Sequence, residues 1–138
     1  MHSLTAPATT MTIDVSVLVP AKDEAESLPL FLDLCAQAFA GRAERYEVVV
    51  IDDGSSDNSW PLLQQLKTRH PFLRARGHRG RRGIAEALRT GYMQARGHIL
   101  VFYPADLQFK PEDIPRLCAP ILAGESDMVT GYKQGKYD

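Results

Sequence analysis

Apolar residues along the chain change period several times, and each change marks an element. Ile13 to Val19 is a β-branched run closed by Pro20, which predicts a first strand. From Ser27, a residue suited to a helix cap, Leu28, Phe31, Leu34, Cys35, Ala38 and Phe39 follow at intervals of three and four or side by side. That spacing predicts a helix with one buried face, stopped by Gly41 and tolerant of Pro29 in its first turn. Tyr46 to Ile51 predicts a second strand. A second helix starts near Ser59, carries Trp60, Leu62, Leu63 and Leu66, and ends at His70-Pro71. A third strand is expected at Phe72 to Ala75, then a basic, glycine-punctuated loop from Arg74 to Arg82. A helix from Gly83 through Arg96 presents Ile84, Ala87, Leu88, Tyr92 and Ala95 as its apolar face. Ile99 to Tyr103 is a continuous apolar strand. Pro111 opens a helix bearing Ile114, Leu117, Cys118, Ile121 and Leu122, and Asp127 to Thr130 is a last strand.

Strands and helices alternate, and the second and fourth strands are apolar without polar alternation, as in strands covered on both faces. This predicts an α/β fold with a mostly parallel sheet and right-handed crossovers. No linker or repeat divides the 138 residues, so residues 13–138 read as one domain behind a disordered tail, 1–12. Composition changes the picture only by exclusion. Lys and Arg number 16 against 17 Asp and Glu, a net charge of −1, which argues against a polybasic nucleic-acid binder. No apolar run approaches the ~18 residues of a membrane span, and the first dozen residues lack a signal-peptide core. Cys35 and Cys118 read as buried free thiols in a reducing compartment.

In an open parallel sheet, ligands bind beyond the carboxyl ends of the strands. The first strand runs into Pro20-Ala21-Lys22-Asp23-Glu24, the second into Asp52-Asp53-Gly54-Ser55-Ser56-Asp57, and the fourth into Pro104-Ala105-Asp106-Leu107-Gln108. Acidic side chains therefore gather on one edge. Any one of them can cap the next helix, a reading that stays open for Asp23 and Asp57. Three acidic strand ends together suit other work: accepting hydrogen bonds from ribose hydroxyls and base N–H groups, or, at Asp106 and Gln108, offering hard oxygen ligands to Mg²⁺ or Mn²⁺. A diphosphate would also want positive charge, which the loop holding Arg74, Arg76, His78, Arg79, Arg81 and Arg82 supplies, Arg79, Arg81 and Arg82 foremost, together with the start of the helix at Gly83, although a solvated basic loop is an equal reading. The chain has no Gly-x-Gly-x-x-Gly after its first strand, no Walker sequence and no Gly-x-Ser-x-Gly, so dehydrogenase, P-loop and α/β-hydrolase chemistry lack support. His2, His70, His78 and His98 do not have metal-ligand spacing.

These segments resemble family 2 inverting glycosyltransferases. Val17 to Glu24 is similar to the family's first-strand motif, Val50 to Asp57 to its second, Gly83 to Gly91 to its third helix, and Ala105 to Gln108 with Pro111 to Pro115 to its metal-binding segment. The order and spacing hold from Val15 to about Lys133, and the polyprenyl-phosphate sugar transferases are the branch most resembled. The resemblance implies a GT-A fold, a nucleotide-sugar donor of the GDP-mannose or UDP-glucose type, a lipid-phosphate acceptor, inversion at the anomeric carbon, and a cytoplasmic site at the membrane face. It places Pro20, Ala21 and Glu24 along the nucleoside with Glu24 on the ribose, Asp52 on the base, Asp53 in support of that loop, and Asp106 with Gln108 on Mg²⁺ or Mn²⁺. Departures are visible: Pro104 stands where the family's Asp-x-Asp begins, and Lys22 and Asp23 replace Tyr and Asn. No acceptor half or catalytic base is found in Gly131 to Asp138, so the chain reads as the donor-binding half, with an uncovered apolar face that would favour a homo-oligomer. A nucleotide-binding module without catalysis, or an interaction domain on the same fold, is the alternative.

Overall fold

The computed structural model describes residues 12–131; the expected tail lies, except for Thr12, outside the described residues. Four strands form one sheet: β1 (Val15–Ala21), β2 (Tyr46–Asp53), β3 (Leu73–His78) and β4 (Ile99–Phe102). The order is β3-β2-β1-β4 and every pairing is parallel. The helices are α1 (Leu28–Phe39), α2 (Ser59–Arg69), α3 (Ile84–Gln94) and α4 (Ile114–Leu122), the last entered through a 3₁₀ turn at Pro111–Asp113.

Both sheet faces are covered, but unequally. Val15, Val17, Val19, Val48 and Val50 point into a large core closed by α1, α2 and α4 through Phe31, Leu32, Cys35, Leu63, Ile114 and Cys118. Each fully buried Phe31- or Leu32-sized side chain contributes about 1.5–3 kcal/mol. Leu18, Val49 and Ile51 point to the opposite face, where, among the described residues, α3 alone packs, through Ala87 and Gly91. Cys35 and Cys118 are buried and free, and burial pushes their thiols up to about 12 and about 11.

Several expectations need correction. β1 does not stop at Pro20 but runs through it to Ala21. The carbonyl of Leu18 accepts from Tyr103 on the β4 side, so Pro20, two residues on, faces that same side. β4 has already ended there, and the missing N–H breaks no ladder bond. β3 extends to His78, so Arg74, Arg76 and His78 belong to a strand and not to the basic loop. Ser27 does not cap α1 with its side chain; its hydroxyl bonds Glu24 instead. Leu32, not Leu34, completes the buried face of α1. Trp60 lies over the bare Cα of Gly77, where a Cβ would sit 3.1 Å from its ring. The expected apolar face of α3 is displaced: Ile84 and Tyr92 are exposed, as is Phe102 on the edge strand. Asp127 to Thr130 is irregular, with Met128 81% exposed. A strand needs a neighbour, and this segment pairs with none among the described residues; it passes α4, where a Cβ on Gly131 would strike Leu117.

Candidate functional site

The carboxyl ends of β1 and β2 are level, with Ala21 opposite Asp52, and those of β2 and β3 are level, with Asp53 opposite His78. β4 stops opposite Leu18, and its continuation carries Pro104 to Gln108 onward from there. Asp106 and Gln108 are exposed, and the Gln108 N–H donates to Asp106 Oδ1 at 3.1 Å across Leu107, which has φ 65°. Tyr103 anchors this loop by donating its hydroxyl to the Lys110 carbonyl at 2.7 Å.

The acids on this edge divide into two sets. Asp23, Asp53 and Asp57 have both carboxylate oxygens engaged by protein donors. Asp23, held at φ 55°, accepts from the N–H groups of Ser56 and Asp57 at 2.7 and 3.1 Å and pairs with Lys22 at 3.0 Å. Asp57 accepts from the N–H groups of Ser59 and Ala25 at 2.9 and 3.3 Å. The Ser55 hydroxyl oxygen accepts the Asp23 N–H at 2.8 Å, and the same hydroxyl donates a hydrogen bond to Asp52. The loops after β1 and β2 are thus tied reciprocally. Asp53 accepts from His78 Nδ1 at 2.8 Å and from the N–H groups of Arg82 and Gly83 at 2.9 Å each, which joins the end of β2 to the start of α3.

Glu24, Asp52 and Asp106 form the second set. Each has one oxygen occupied, by Ser27, Ser55 and Gln108 respectively, and one oxygen with no partner among the described residues. Asp52 is only 4% exposed, yet its free oxygen is not sealed from solvent. Pro20 and Ala21 close β1 beside it. Arg79, Arg81 and Arg82 are exposed, and their guanidinium groups make no ion pair among the described residues. No cluster of three or more His, Cys, Asp or Glu that could hold a metal exists among the described residues. Asp106 with Gln108 nevertheless suits a hard cation that brings most of its other ligands with it, since Mg²⁺ retains waters and relies on substrate phosphates.

The model of the family described as "Glycosyl transferase family 2" matches residues 16–136, which take in β2, β3 and β4 whole and β1 except for Val15. The chain belongs to glycosyl transferase family 2. Within glycosyl transferase family 2 it is 35% identical over 122 residues to dolichol-phosphate mannosyltransferase from Pyrococcus furiosus, covering 88% of this chain and 34% of that protein. It is 34% identical over 129 residues to undecaprenyl-phosphate 4-deoxy-4-formamido-L-arabinose transferase from Proteus mirabilis, covering 90% and 38%. The chain therefore spans little more than a third of the length of these curated relatives. Among solved structures, the mannosyltransferase PcManGT from Pyrobaculum calidifontis, in complex with GDP-Man and Mn²⁺, shares 32% identity. The TM-score is 0.61 over 70% of this chain and 28% of that one. The α/β sheet is that of GT-A glycosyltransferases. No helix among the described residues of this glycosyl transferase family 2 chain is long and apolar enough to cross a membrane.

The engaged acids make the edge sensitive to pH. Hydrogen bonds from Lys22, Asp57 and Ser56 lower Asp23 from 3.8 to about 2. Asp57 is lowered chiefly by the Ser59 hydroxyl. Burial pushes Asp53 upward, but hydrogen bonds from His78, Arg82 and Gly83 outweigh it and leave it low. Folded values below unfolded ones stabilise the fold above the unfolded value of 3.8, and the contribution disappears as pH falls toward 2. Thermal melts should therefore show the melting temperature dropping across that window. Asp23→Asn, neutral at every pH, should melt lower near neutrality and decline less steeply in acid; an unchanged slope would separate Asp23 from the effect.

Proposed function

We propose that this chain is the donor-binding part of a glycosyltransferase that moves a sugar from a nucleoside-diphosphate donor to a polyprenyl phosphate. The observation that carries the reading is the division of the acids: Glu24, Asp52 and Asp106, on the loops and strand ends after β1, β2 and β4, each keep an oxygen for a ligand. The Pyrococcus and Proteus relatives, a dolichol-phosphate and an undecaprenyl-phosphate transferase, support the acceptor class, and the GDP-Man of PcManGT supports the donor class. Glu24 accepts from ribose hydroxyls and Asp52 from a base N–H, a group that uracil and guanine both carry. Pro20 and Ala21 line the nucleoside. Arg79, Arg81 and Arg82, on the loop that leads into α3, meet the diphosphate, and Asp53 sets that loop. Asp106 and Gln108 hold Mg²⁺ or Mn²⁺ against the diphosphate. The bound cation supplies charge stabilisation to the departing nucleoside diphosphate.

A single carboxylate gives a metal little to hold before the nucleotide arrives. Mn²⁺ should bind the free chain weakly and raise affinity for UDP or GDP on the order of tenfold, with the nucleotide raising metal affinity by the same factor. Isothermal titration of both diphosphates and of the bare nucleosides, with and without Mn²⁺, tests this. Asp106→Asn should abolish the metal enhancement and leave nucleoside binding unchanged. Diphosphate binding that is equally tight without metal would remove Asp106 and Gln108 from the site. Absence of binding by either diphosphate would sink the donor reading.

A further inference from the structure

His78 ends β3 beside Asp53, its register partner on β2, and its side chain is 4% exposed. Both ring nitrogens are engaged. Nδ1 lies 2.8 Å from Asp53 Oδ1, and Nε2 lies 2.8 Å from Thr90 Oγ1, in the middle of α3. A carboxylate only accepts, so Nδ1 donates to Asp53, and in the neutral ring Nε2 accepts the Thr90 hydroxyl proton. One imidazole thereby links two strands and a helix. The carboxylate it orients is the one that receives the Arg82 and Gly83 N–H groups. The same loop rests on Gly54, whose φ is 73° and where a Cβ would lie 2.6 Å from the Arg81 nitrogen. The basic loop is thus seated on the end of β2 at two adjacent points, and His78 secures one of them.

We propose that His78 is a positioning residue for the diphosphate end of the site, acting through Asp53 on the backbone of Arg82 and Gly83. This rests on the donor reading above. His78 touches no ligand; it sets the height and direction at which the loop arginines and the first N–H groups of α3 are presented. Thr90 holds the ring from the far side. An Asn at 78 places its amide nitrogen near the position of Nδ1 and keeps the bond to Asp53, whereas a Gln reaches toward Thr90 and loses it.

Titration of UDP, GDP, uridine and guanosine into His78→Ala, His78→Asn and the wild-type chain tests the idea. His78→Ala should lose about tenfold in diphosphate affinity, the scale of one hydrogen bond to a charged group. Nucleoside affinity should be unchanged, and His78→Asn should recover most of the loss. Equal losses for nucleoside and diphosphate, or an Asn variant no better than Ala, would overturn the proposal. If His78→Ala does not fold, His78→Asn against His78→Gln decides, because only Asn retains the Asp53 bond; Gln binding diphosphate as well as Asn overturns it. Amide exchange of Arg82 and Gly83 in the ligand-free chain separates this proposal from the donor reading. Exchange should be faster in His78→Ala than in His78→Asn whether or not nucleotide binds, and identical exchange would show that His78 does not hold the loop.

Discussion

Glu47→Ala is expected to destabilise the fold by about 3 kcal/mol, the low end of what breaking a buried ion pair costs. Glu47 sits near the start of β2 and is 3% exposed. Its carboxylate accepts the Ser16 hydroxyl at 2.6 Å, the Arg96 N–H at 2.8 Å and Arg74 Nη1 at 2.9 Å. Arg74 continues to the carbonyl of Gln94 at 2.7 Å, so this charge ties β1, β2, β3 and the end of α3 together at the edge opposite the candidate site. Burial opposes the charge, but these donors more than compensate and keep Glu47 below its ordinary value. Alanine leaves Ser16 and the Arg96 N–H without their acceptor; Arg74 retains solvent access, which limits the loss. Urea unfolding measures it. Glu47→Gln, which still accepts, should lose less, and a loss below about 1 kcal/mol in the Ala variant would show that water replaces the carboxylate.

Asp52→Asn should weaken UDP and GDP binding on the order of 100-fold while leaving the melting temperature nearly unchanged. Asn retains an oxygen for the Ser55 N–H and hydroxyl, so the loop after β2 keeps its shape. It puts an NH₂ where the free oxygen stood, and a base N–H then meets a donor. Asp52→Ala should bind equally poorly but melt lower, because Ser55 loses its acceptor. Calorimetric affinity alongside thermal melts distinguishes the two variants. Nucleotide affinity unaffected in Asp52→Asn would place the base elsewhere.

The parallel sheet and the acidic edge were legible in the sequence because buried strands are written as apolar runs and strand ends as polar clusters. Val48 to Ile51 followed by Asp52 and Asp53 is such a case. β3 was hard to delimit for the converse reason. It is an edge strand, its α3-facing positions are Arg74, Arg76 and His78, and its other face ends in Gly77, so half of it carries no apolar signal. Helix α3 misleads in a different way. Large residues at 84, 88 and 92 suggest a buried face, yet contact with the sheet is made by Ala87 and Gly91, whose size lets the helix lie close to Leu18 and Ile51. Spacing alone reports that a helix has an apolar side; it does not report which neighbour covers that side.

At the site, sequence spacing collects the acids on one edge; it leaves a capping role open for Asp23 and Asp57, and only the family resemblance sets Asp52 apart. The positions of Ser55, Ser56 and Lys22 are what show that the Asp23 carboxylate is fully engaged and that of Asp52 is not. The role of His78 is less visible still, since its partners Asp53 and Thr90 lie 25 and 12 residues away. Their alignment depends on strand register and helix placement together.

The reciprocal ties between the first two loops also constrain how this chain can vary. Positions 23, 52, 55, 56 and 57 exchange donors and acceptors with one another, and Gly54 lies beneath the backbone of Gly80 and Arg81. Substitutions there will not add as independent sites do. A change at Asp23 alters what is tolerated at Ser56, and a side chain at Gly54 is admissible only if the 80–81 backbone moves with it. The two loops and the start of α3 therefore form one epistatic unit, which changes by coordinated replacement and not by single steps.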